Sequence, residues 1–350
     1  MTGTPKYSDS EIAAAVEAAQ GNIRVAAKNL KCSQSTVRLR LANASVAYGH
    51  RARLDAQEPP PVTLPEFPDG DIPVDEIRQI MAKRFEKRQA HHKAKKWFPV
   101  KVNLDGPIGV TFWGDPHVDD DGCNWPLLNH HSDLHRANPA LFSVNIGDTI
   151  NGWMGRLVHL YAQQDASEKT AHRLAKWFLT DAGIRWLCIL WGNHDAWSLF
   201  PEVMRAGNVA NVPMEDWQAR FRIVFPGGRE ARVWASHDFK GDSMWNSLHG
   251  PQKAAHTKTE AHIYACGHKH NWATHQEESA SRDFTYWLIR SRGYKFIDSF
   301  GEKLGHFPQD EGASITCIFD PSSKSEAGFI QAFADMDAAT DYLGYLRKRK

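Results

Sequence analysis

Residues 108–117 read IGVTFWGDPH, a short apolar run that ends in a glycine, an aspartate and a histidine. The pattern recurs at residues 140–151 (ALFSVNIGDTIN) and 184–195 (IRWLCILWGNHD). Helix-length stretches separate these runs, at Trp125–Asn138 and Arg156–Ala182. Strands that alternate with helices are typical of an α/β protein with a buried sheet of parallel strands. In such sheets functional groups gather where strands end and loops begin.

Beyond Glu215 the apolar runs lie closer together: ARFRIVFP, ARVWASHD, HIYACGHKH, FTYWLIRS and SITCIFD. This spacing predicts a second sheet, mixed or antiparallel. The stretch from Asp335 to Tyr345 predicts a helix before the basic tail RKRK.

Composition narrows the class of protein. A chain of 350 residues with 42% hydrophobic residues suits one large domain with a sizeable core, plus an appendage. The five cysteines are scattered without a CxxC pair, which argues against a disulfide framework or a thiolate zinc site and favours a reducing compartment. The sequence shows neither a signal-peptide pattern nor an apolar run of about 20 residues, so we expect a soluble, cytoplasmic protein without a membrane partner.

Changes in composition along the chain predict five regions. They are a helix-turn-helix module (1–48), a Pro-rich linker (49–73), a basic helix (74–97), the main domain (98–333) and a C-terminal helix with a basic tail (334–350). Residues 1–98 contain 16 Lys and Arg against 11 Asp and Glu, which leaves the remainder at a net charge of about −4. A basic front end ahead of an acidic body fits contact with a polyanion.

Aspartate, asparagine and histidine side chains follow five of the predicted strands. They are Asp115, His117, Asp148, Asn193, His194, Asp195, His237, His268 and His270. In extended chain, the D-x-H and H-x-H pairs would each lie on one face, because side chains two residues apart share a face. Mixed carboxylate and imidazole ligands suit Mn²⁺, Fe or Zn²⁺ better than Ca²⁺ or a structural zinc.

The order D-x-H, G-D-x-x-N, G-N-H-D, H and G-H-x-H resembles the calcineurin-like metallophosphoesterase family over residues 108–320. The resemblance implies a sandwich of two central sheets flanked by helices, with two divalent metal ions; Mn²⁺ is favoured, with Fe or Zn²⁺ as alternatives. It implies one ion held by Asp115, His117, Asp148 and His270. It implies a second ion held by Asp148, Asn193, His237 and His268, so that Asp148 bridges the two.

The resemblance also implies catalytic roles for two neighbouring residues. His194 would protonate the leaving oxygen, and Asp195 would orient His194 and raise its basicity. Asn151 is interpreted as a turn residue. His249, in the loop WNSLHGP (245–251), is a candidate substrate contact, whereas His131 and His135 are expected on a solvated helix face.

Residues 8–41 predict three short helices, with Ser8 or Ser10 capping the first and Ser33 capping the third. The segment AAKNLKCSQSTV (26–37) resembles a helix-turn-helix, and GNIRVAA (21–27) resembles the Fis-type branch of that family. The resemblance implies DNA contacts by Gln34, Ser35, Arg38 and Arg40, with Val37, Leu39 and Leu41 nearer the core. The alternative is a helical bundle that only mediates oligomerisation.

The sequence-based hypothesis is a two-metal phosphodiesterase or nuclease that acts on DNA and is tethered to a DNA-binding module. The motifs GDTING and GNHD lack the Arg and the Glu of the protein-phosphatase branch. A nuclease-like core with a helix-turn-helix is similar to proteins of phages and prophages. Two alternatives stay open: a small-molecule phosphatase or cyclic-nucleotide phosphodiesterase with an oligomerising N-terminus, and a non-catalytic DNA-binding regulator.

Overall fold

The computed structural model describes residues 7–42, 65, 67, 70–207, 211–257, 260–279, 284–296 and 308–349. The chain divides into two compact units, Met1–Ile77 and Arg78–Lys350. Of the linker predicted at 49–73, only residues 65, 67 and 70–73 are described, so that prediction lies almost wholly outside the described residues. None of the helices in the described part has both the length and the apolar character that a membrane-spanning helix requires.

The smaller unit contains helices α1 (Asp9–Ala18), α2 (Ile23–Asn29) and α3 (residues 34–42). Ser8 caps α1 in a capping box with Glu11, and the Ser33 hydroxyl accepts a hydrogen bond from the backbone N–H of Thr36 at 3.1 Å. The predicted caps at Ser8 and Ser33 are therefore confirmed. The core of the unit consists of Ile12, Val16, Ala26, Ala27 and Val37.

One assignment within α3 is wrong. Leu39 was expected near the core, but 68% of its surface is exposed. Val37 is fully buried, and a residue two positions further along a helix points roughly 200° away from it. The buried face of α3 therefore runs through Val37 and the partly buried Leu41 and leaves Leu39 in solvent.

Helix α4 (Val74–Ala94) lies within the stretch 74–97 that was predicted to be a basic helix, and none of its described side chains is buried. Lys96 and Trp97, assigned to this helix from sequence, belong instead to strand β1 (Lys96–Lys101). The strand forms because Phe98 stacks on Phe221 at a ring distance of 5.6 Å and β1 pairs in parallel with a neighbouring strand.

Within the described residues, the larger unit has two mixed six-stranded sheets flanked by helices, which confirms the predicted α/β sandwich. The strands after β1 are β2 (Ile108–Trp113), β3 (Leu141–Ile146), β4 (Trp186–Trp191), β5 (Met214–Asp216), β6 (Gln218–Val224), β7 (Glu230–Ser236), β8 (Ile263–Cys266), β9 (Ala273–Ser279), β10 (Phe284–Arg290), β11 (Ser314–Phe319) and β12 (Ile330–Phe333). Sheet I has the order β12-β11-β2-β3-β4-β5, and sheet II has the order β1-β6-β7-β8-β10-β9.

The main core lies between the sheets, where Val110 and Phe112 of β2 meet Phe221 and Ile223 of β6. Helices cover the outer faces because apolar side chains also point outward from the strands. The helices described after α4 are α5 (Trp125–Ala137), α6 (Glu168–Thr180), α7 (Asn193–Ala196), α8 (Phe200–Ala206), α9 (His249–Thr257), α10 (Glu326–Phe329) and α11 (Met336–Lys348), together with the 3₁₀ helix Gly155–Gln163.

Two sequence assignments need correction. The run SITCIFD was grouped with the second sheet, but β11 pairs antiparallel with β2 in sheet I. His131 and His135 were expected in solvent, but both are buried: His131 Nδ1 lies 2.7 Å from the Tyr294 hydroxyl, and His135 Nε2 lies 3.1 Å from Thr111 Oγ1. Burial lowers the pKa of His131 to about 4 and that of His135 to about 3, so both rings are neutral core residues near pH 7.

Candidate metal centre

The predicted polar residues meet at the carboxyl ends of strands from both sheets. Strands β2, β3 and β4 are parallel, so the loops that follow them emerge at one edge of sheet I. The parallel strands β7 and β8 bring His237 and the loop 267–270 to the same place. The His237 ring joins the two sheets, because its Nδ1–H donates to the carbonyl of Ile146 at the end of β3, over 2.9 Å.

In the described part of the chain, three groups of side chains lie close enough to share a cation, with candidate ligand atoms within 4.8 Å of one another. The groups are Asp115, His117 and His270; His117, Asp148 and His194; and Asp148, His237 and His268. Asn193 adjoins the third group, since its Oδ1 lies 2.9 Å from His237 Nε2. The structure thus brings together all seven residues that the sequence selected as metal ligands.

Asp148 lies at the middle of the cluster and is 1% exposed. Its Oδ1 accepts a hydrogen bond from the backbone N–H of His194 at 2.9 Å, and its Oδ2 lies 3.3 Å from His237 Nε2. Burial opposes its ionised form, but the His237 ring holds the pKa of Asp148 well below its usual range. The carboxylate is therefore ionised and oriented from two sides.

The His237 ring is fixed by the backbone. Its Nδ1 donates to a backbone carbonyl, and its Nε2 faces Asn193 Oδ1, His268 Nδ1 and Asp148 Oδ2. This is how metal-binding histidines are commonly oriented, with one nitrogen fixed by the protein and the other directed at the ion. Burial lowers the pKa of His237, but the Asp148 and Asp115 carboxylates more than offset it and raise that pKa to about 10.

Asp115 and His117 have the strongest requirement for a cation. Among the described residues, Asp115 Oδ1 and both ring nitrogens of His117 are buried and find no hydrogen-bond partner. Burial raises the pKa of Asp115 well above its usual range and lowers that of His117 well below its own. Such orphaned polar atoms are costly in a protein interior unless they bind something. A buried carboxylate oxygen and buried imidazole nitrogens that lack hydrogen-bond partners fit a divalent metal ion.

The backbone that presents these residues differs from the extended chain expected from sequence. Asp115, His117, Asp148, His268 and His270 all have positive φ, between 41° and 71°. Left-handed conformations are uncommon for non-glycine residues and cluster at functional sites. The D-x-H and H-x-H pairs therefore converge through tight loops after the strands, and the explanation by alternation along a strand is wrong.

Glycines allow the loops to approach each other. A Cβ atom on Gly192 would lie 2.1 Å from Asp148 Oδ1 and 2.6 Å from His237 Cε1, and one on Gly147 would lie 2.6 Å from the backbone nitrogen of Gly192. The glycines in the motifs GD and GNH thus let two ligand loops touch where a side chain would separate them.

The hydrogen bonds of Asp195 and His194 differ from the pairing of these two side chains that the sequence predicted. The Asp195 carboxylate accepts hydrogen bonds from the backbone N–H groups of Thr149 (2.9 Å), Ile150 (3.3 Å) and Gly192 (3.0 Å), so it binds two loops together. Burial raises its pKa to about 7. The His194 Nδ1 instead donates to the backbone carbonyl of Asn151 over 2.5 Å. The predicted pairing of Asp195 with the His194 ring is therefore wrong, because the carboxylate is committed to backbone amides.

Two tryptophans flank the His194 ring, Trp197 at 4.5 Å and Trp153 at 5.1 Å between ring centroids. Burial lowers the pKa of His194. His249 begins α9 as a half-buried residue, and its ring lies 3.1 Å from where a Cβ of Gly241 would stand. A role for His249 in substrate contact stays a prediction.

Sequence reasoning missed several residues that support the centre. Asp119 and Asp120, in the run DDDG after the D-x-H pair, hydrogen-bond to Asn151. Arg290, which is 1% exposed, donates from Nε to the carbonyl of Ser247 at 2.8 Å and from Nη1 to the carbonyl of Gly267. The acidic run DDDG could have been recognised from the sequence as a group that supports the centre. Arg290 could not, because nothing in FTYWLIRS shows that its arginine points inward.

No protein-family model matches the sequence, and no curated protein does. Among solved structures, the chain is similar to Zn²⁺-complexed Vps29 from Entamoeba histolytica, at 11% identity over 64% of this chain and 97% of that chain, with a TM-score of 0.34. It is similar to NAD nucleotidase NadN from Haemophilus influenzae, at 8% identity over 65% and 49%, with a TM-score of 0.34. It is also similar to the calcineurin-like phosphoesterase YfkN from Bacillus subtilis, at 12% identity over 69% and 99%, with a TM-score of 0.30. Likenesses of this degree do not assign an activity to this chain.

Proposed function

We propose that this chain is a phosphoesterase of the calcineurin-like kind that uses two divalent metal ions, and that it hydrolyses phosphodiester bonds in nucleic acid. The position of Asp148 carries the proposal. This buried carboxylate belongs both to a group with His237 and His268 and to a group with His117. A carboxylate shared between two sets of ligands is what a two-metal centre requires.

The geometry and the motif order together support two ligand sets. Asp115, His117 and His270 would hold one ion together with Asp148. Asn193, His237 and His268 would hold the second ion, also together with Asp148. When bound, the ions would polarise the phosphoryl group and lower the pKa of a water molecule that attacks it. Mn²⁺ is the favoured ion, because the set mixes carboxylate and imidazole without thiolate.

His194 would act as the general acid. The Nδ1 donation to the carbonyl of Asn151 fixes the ring, which leaves Nε2 for the proton that the leaving oxygen takes up. His194 also lies in one of the three groups, with Asp148 and His117. Removal of its ring should leave the metal content unchanged if His194 is the acid and lower it if His194 is a ligand.

The nucleic-acid substrate is supported by the smaller unit. Its three capped helices place Gln34, Ser35 and Arg38 on the exposed surface of α3, as recognition by a helix-turn-helix requires. Arg40 is less suited to contact DNA, since its guanidinium pairs with Asp9 at 2.7 Å. The DNA-binding function would bring the catalytic unit to its substrate.

One experiment tests activity and substrate class together. The purified protein with Mn²⁺ is incubated in parallel with bis(4-nitrophenyl) phosphate, single-stranded DNA and duplex DNA, with a chelator as control. We expect Mn²⁺-dependent hydrolysis of the diester and of at least one DNA. Hydrolysis of the small diester alone would favour a small-molecule phosphodiesterase, and inactivity on all three would overturn the proposal in favour of a non-catalytic DNA-binding protein.

A further inference from the structure

The backbone carbonyl of Asn151 holds the ring of His194, so the position of Asn151 decides where that ring points. Asn151 is fully buried and directly precedes Gly152, where a Cβ atom would lie 2.2 Å from the carbonyl oxygen of His194. The two loops are therefore in direct contact, and a shift of one moves the other.

Asn151 is fixed in turn by two neighbouring aspartates. Asp119 Oδ1 accepts a hydrogen bond from the backbone N–H of Asn151 at 2.8 Å, and Asp120 Oδ2 accepts one from its side-chain amide at 2.8 Å. Asp119 is 2% exposed, so its bond is shielded from competing water. A buried hydrogen bond to a carboxylate is among the stronger ones in proteins.

Further contacts extend the hydrogen-bond network around Asn151. The Lys295 Nζ lies 3.1 Å from Asp120 Oδ2, and only 8% of the lysine side chain is exposed. Gln164 Oε1 accepts from the side-chain amide of Asn151 at 3.0 Å and from the indole N–H of Trp153 at 2.8 Å. The Trp153 ring packs edge-on against the His194 ring. The network thus reaches the His194 ring through the Asn151 carbonyl and through Trp153.

We propose that Asp119 and Asp120 are positioning residues for His194 and act through the backbone of Asn151. This inference rests on the proposed function, in which His194 is the general acid. The two aspartates fill the role that the sequence suggested for Asp195. Small errors in the placement of a catalytic group cost large factors in rate, so loss of the Asp119 contact lowers the efficiency of proton transfer.

The test compares Asp119→Ala with Asp119→Asn in the full chain. The alanine removes the acceptor of the Asn151 N–H, whereas the asparagine keeps one carbonyl oxygen in its place. Asp121→Ala is the matched control, because Asp121 belongs to the same acidic run but accepts from the backbone N–H of Asp165. The substrates are bis(4-nitrophenyl) phosphate, with a good leaving group, and diphenyl phosphate, with a poorer one.

We expect Asp119→Ala to slow turnover of diphenyl phosphate by about 10- to 100-fold and that of the nitrophenyl diester much less, since a good leaving group needs little protonation. Asp119→Asn should recover most of the loss, and Asp121→Ala should match wild type. Bound Mn²⁺ per chain should be unchanged in all three variants. In a His194→Asn background, Asp119→Ala should cause little further loss, because both changes remove the same contribution.

Three results would overturn the positioning role: equal losses on the two substrates, no recovery in Asp119→Asn, or losses that add to those of His194→Asn. If the wild-type protein is active in the same assays, the proposed function stands. A wild-type protein that hydrolyses neither diester with Mn²⁺ would overturn both.

Discussion

The backbone N–H of His194 donates a hydrogen bond to Oδ1 of Asp148 over 2.9 Å. The residue that we propose as the general acid is thus attached, through its main chain, to the carboxylate that we propose as the bridge between two ions. Its ring is held separately by the carbonyl of Asn151. Substitution of the ring can therefore be separated from disturbance of Asp148.

His194→Asn keeps the backbone N–H and removes only the ring. We expect it to retain bound Mn²⁺ and to slow cleavage of poor leaving groups by about 10²–10⁴, with a smaller loss on nitrophenyl esters. Steady-state rates on both kinds of diester, together with elemental analysis of the purified variant, check this. A loss of metal would show that His194 is a ligand, and equal losses on both substrates would exclude the acid role.

Gly192→Ala tests the close approach of the two ligand loops. The added methyl group would overlap Asp148 Oδ1 and the His237 ring, so we expect a loss of about 1–3 kcal/mol in the free energy of unfolding, with weaker metal binding. Gly227→Ala is the matched control, because a Cβ there meets nothing within 4 Å. Thermal melts with and without Mn²⁺ measure both effects. If Gly192→Ala and Gly227→Ala melt at the same temperature with and without Mn²⁺, the two ligand loops do not approach each other closely at Gly192.

The buried His135 predicts a particular dependence of stability on pH. Because burial lowers its folded pKa to about 3, the unfolded chain binds a proton below pH 6.5 that the folded chain does not. The ring therefore costs no stability above pH 6.5, and its cost grows as pH falls, reaching about 2 kcal/mol at pH 5.

Between pH 7.5 and pH 5, we expect the free energy of unfolding to fall by about 2 kcal/mol less in His135→Gln than in wild type. His159→Gln, at an exposed position, should retain the wild-type dependence. Urea unfolding at the two pH values measures the difference. A wild-type slope in His135→Gln would contradict the buried, neutral state of this ring.

The smaller unit predicts different outcomes for two arginines of α3. Arg38 is exposed, so Arg38→Ala should weaken duplex DNA binding and reduce the dependence of log affinity on log salt by about 1. Arg40 pairs with Asp9 of α1, so Arg40→Ala should act mainly on the stability of the unit, by about 0.5–1 kcal/mol. Salt titrations and thermal melts separate the two effects. Wild-type affinity and salt slope in Arg38→Ala would argue against recognition by α3 and make oligomerisation the first alternative to test.

The sequence predicts which residues surround the centre better than it predicts how the backbone presents them. Apolar runs that end in GDPH, GDTIN and GNHD identify strand ends because strand burial and loop chemistry are both local signals. The left-handed conformations of Asp115 and His268 are set by the packing of several loops, which no local pattern records. Alternation along a strand therefore grouped side chains that do lie together in the structure, but it assumed an incorrect backbone geometry.

Other errors have a similar cause. The start of β1 was assigned to a helix and β11 to the wrong sheet because their partners, β6 and β2, are more than 100 residues away in sequence. Asn151 was interpreted as a turn residue because its contribution comes from a backbone carbonyl, which every residue type possesses. Asp195 was paired with His194 because they are adjacent, yet its carboxylate satisfies buried amides of two loops.

The number of Mn²⁺ ions bound per chain, measured by equilibrium dialysis with elemental analysis, tests the central claim most directly. It compares wild type with Asp148→Asn, and with Asp121→Asn as a control of the same chemistry outside the cluster. We predict two ions in wild type and in the control, and one or none in Asp148→Asn, together with loss of diester hydrolysis. Two ions and wild-type hydrolysis in Asp148→Asn would contradict the proposal that this carboxylate bridges a two-metal centre.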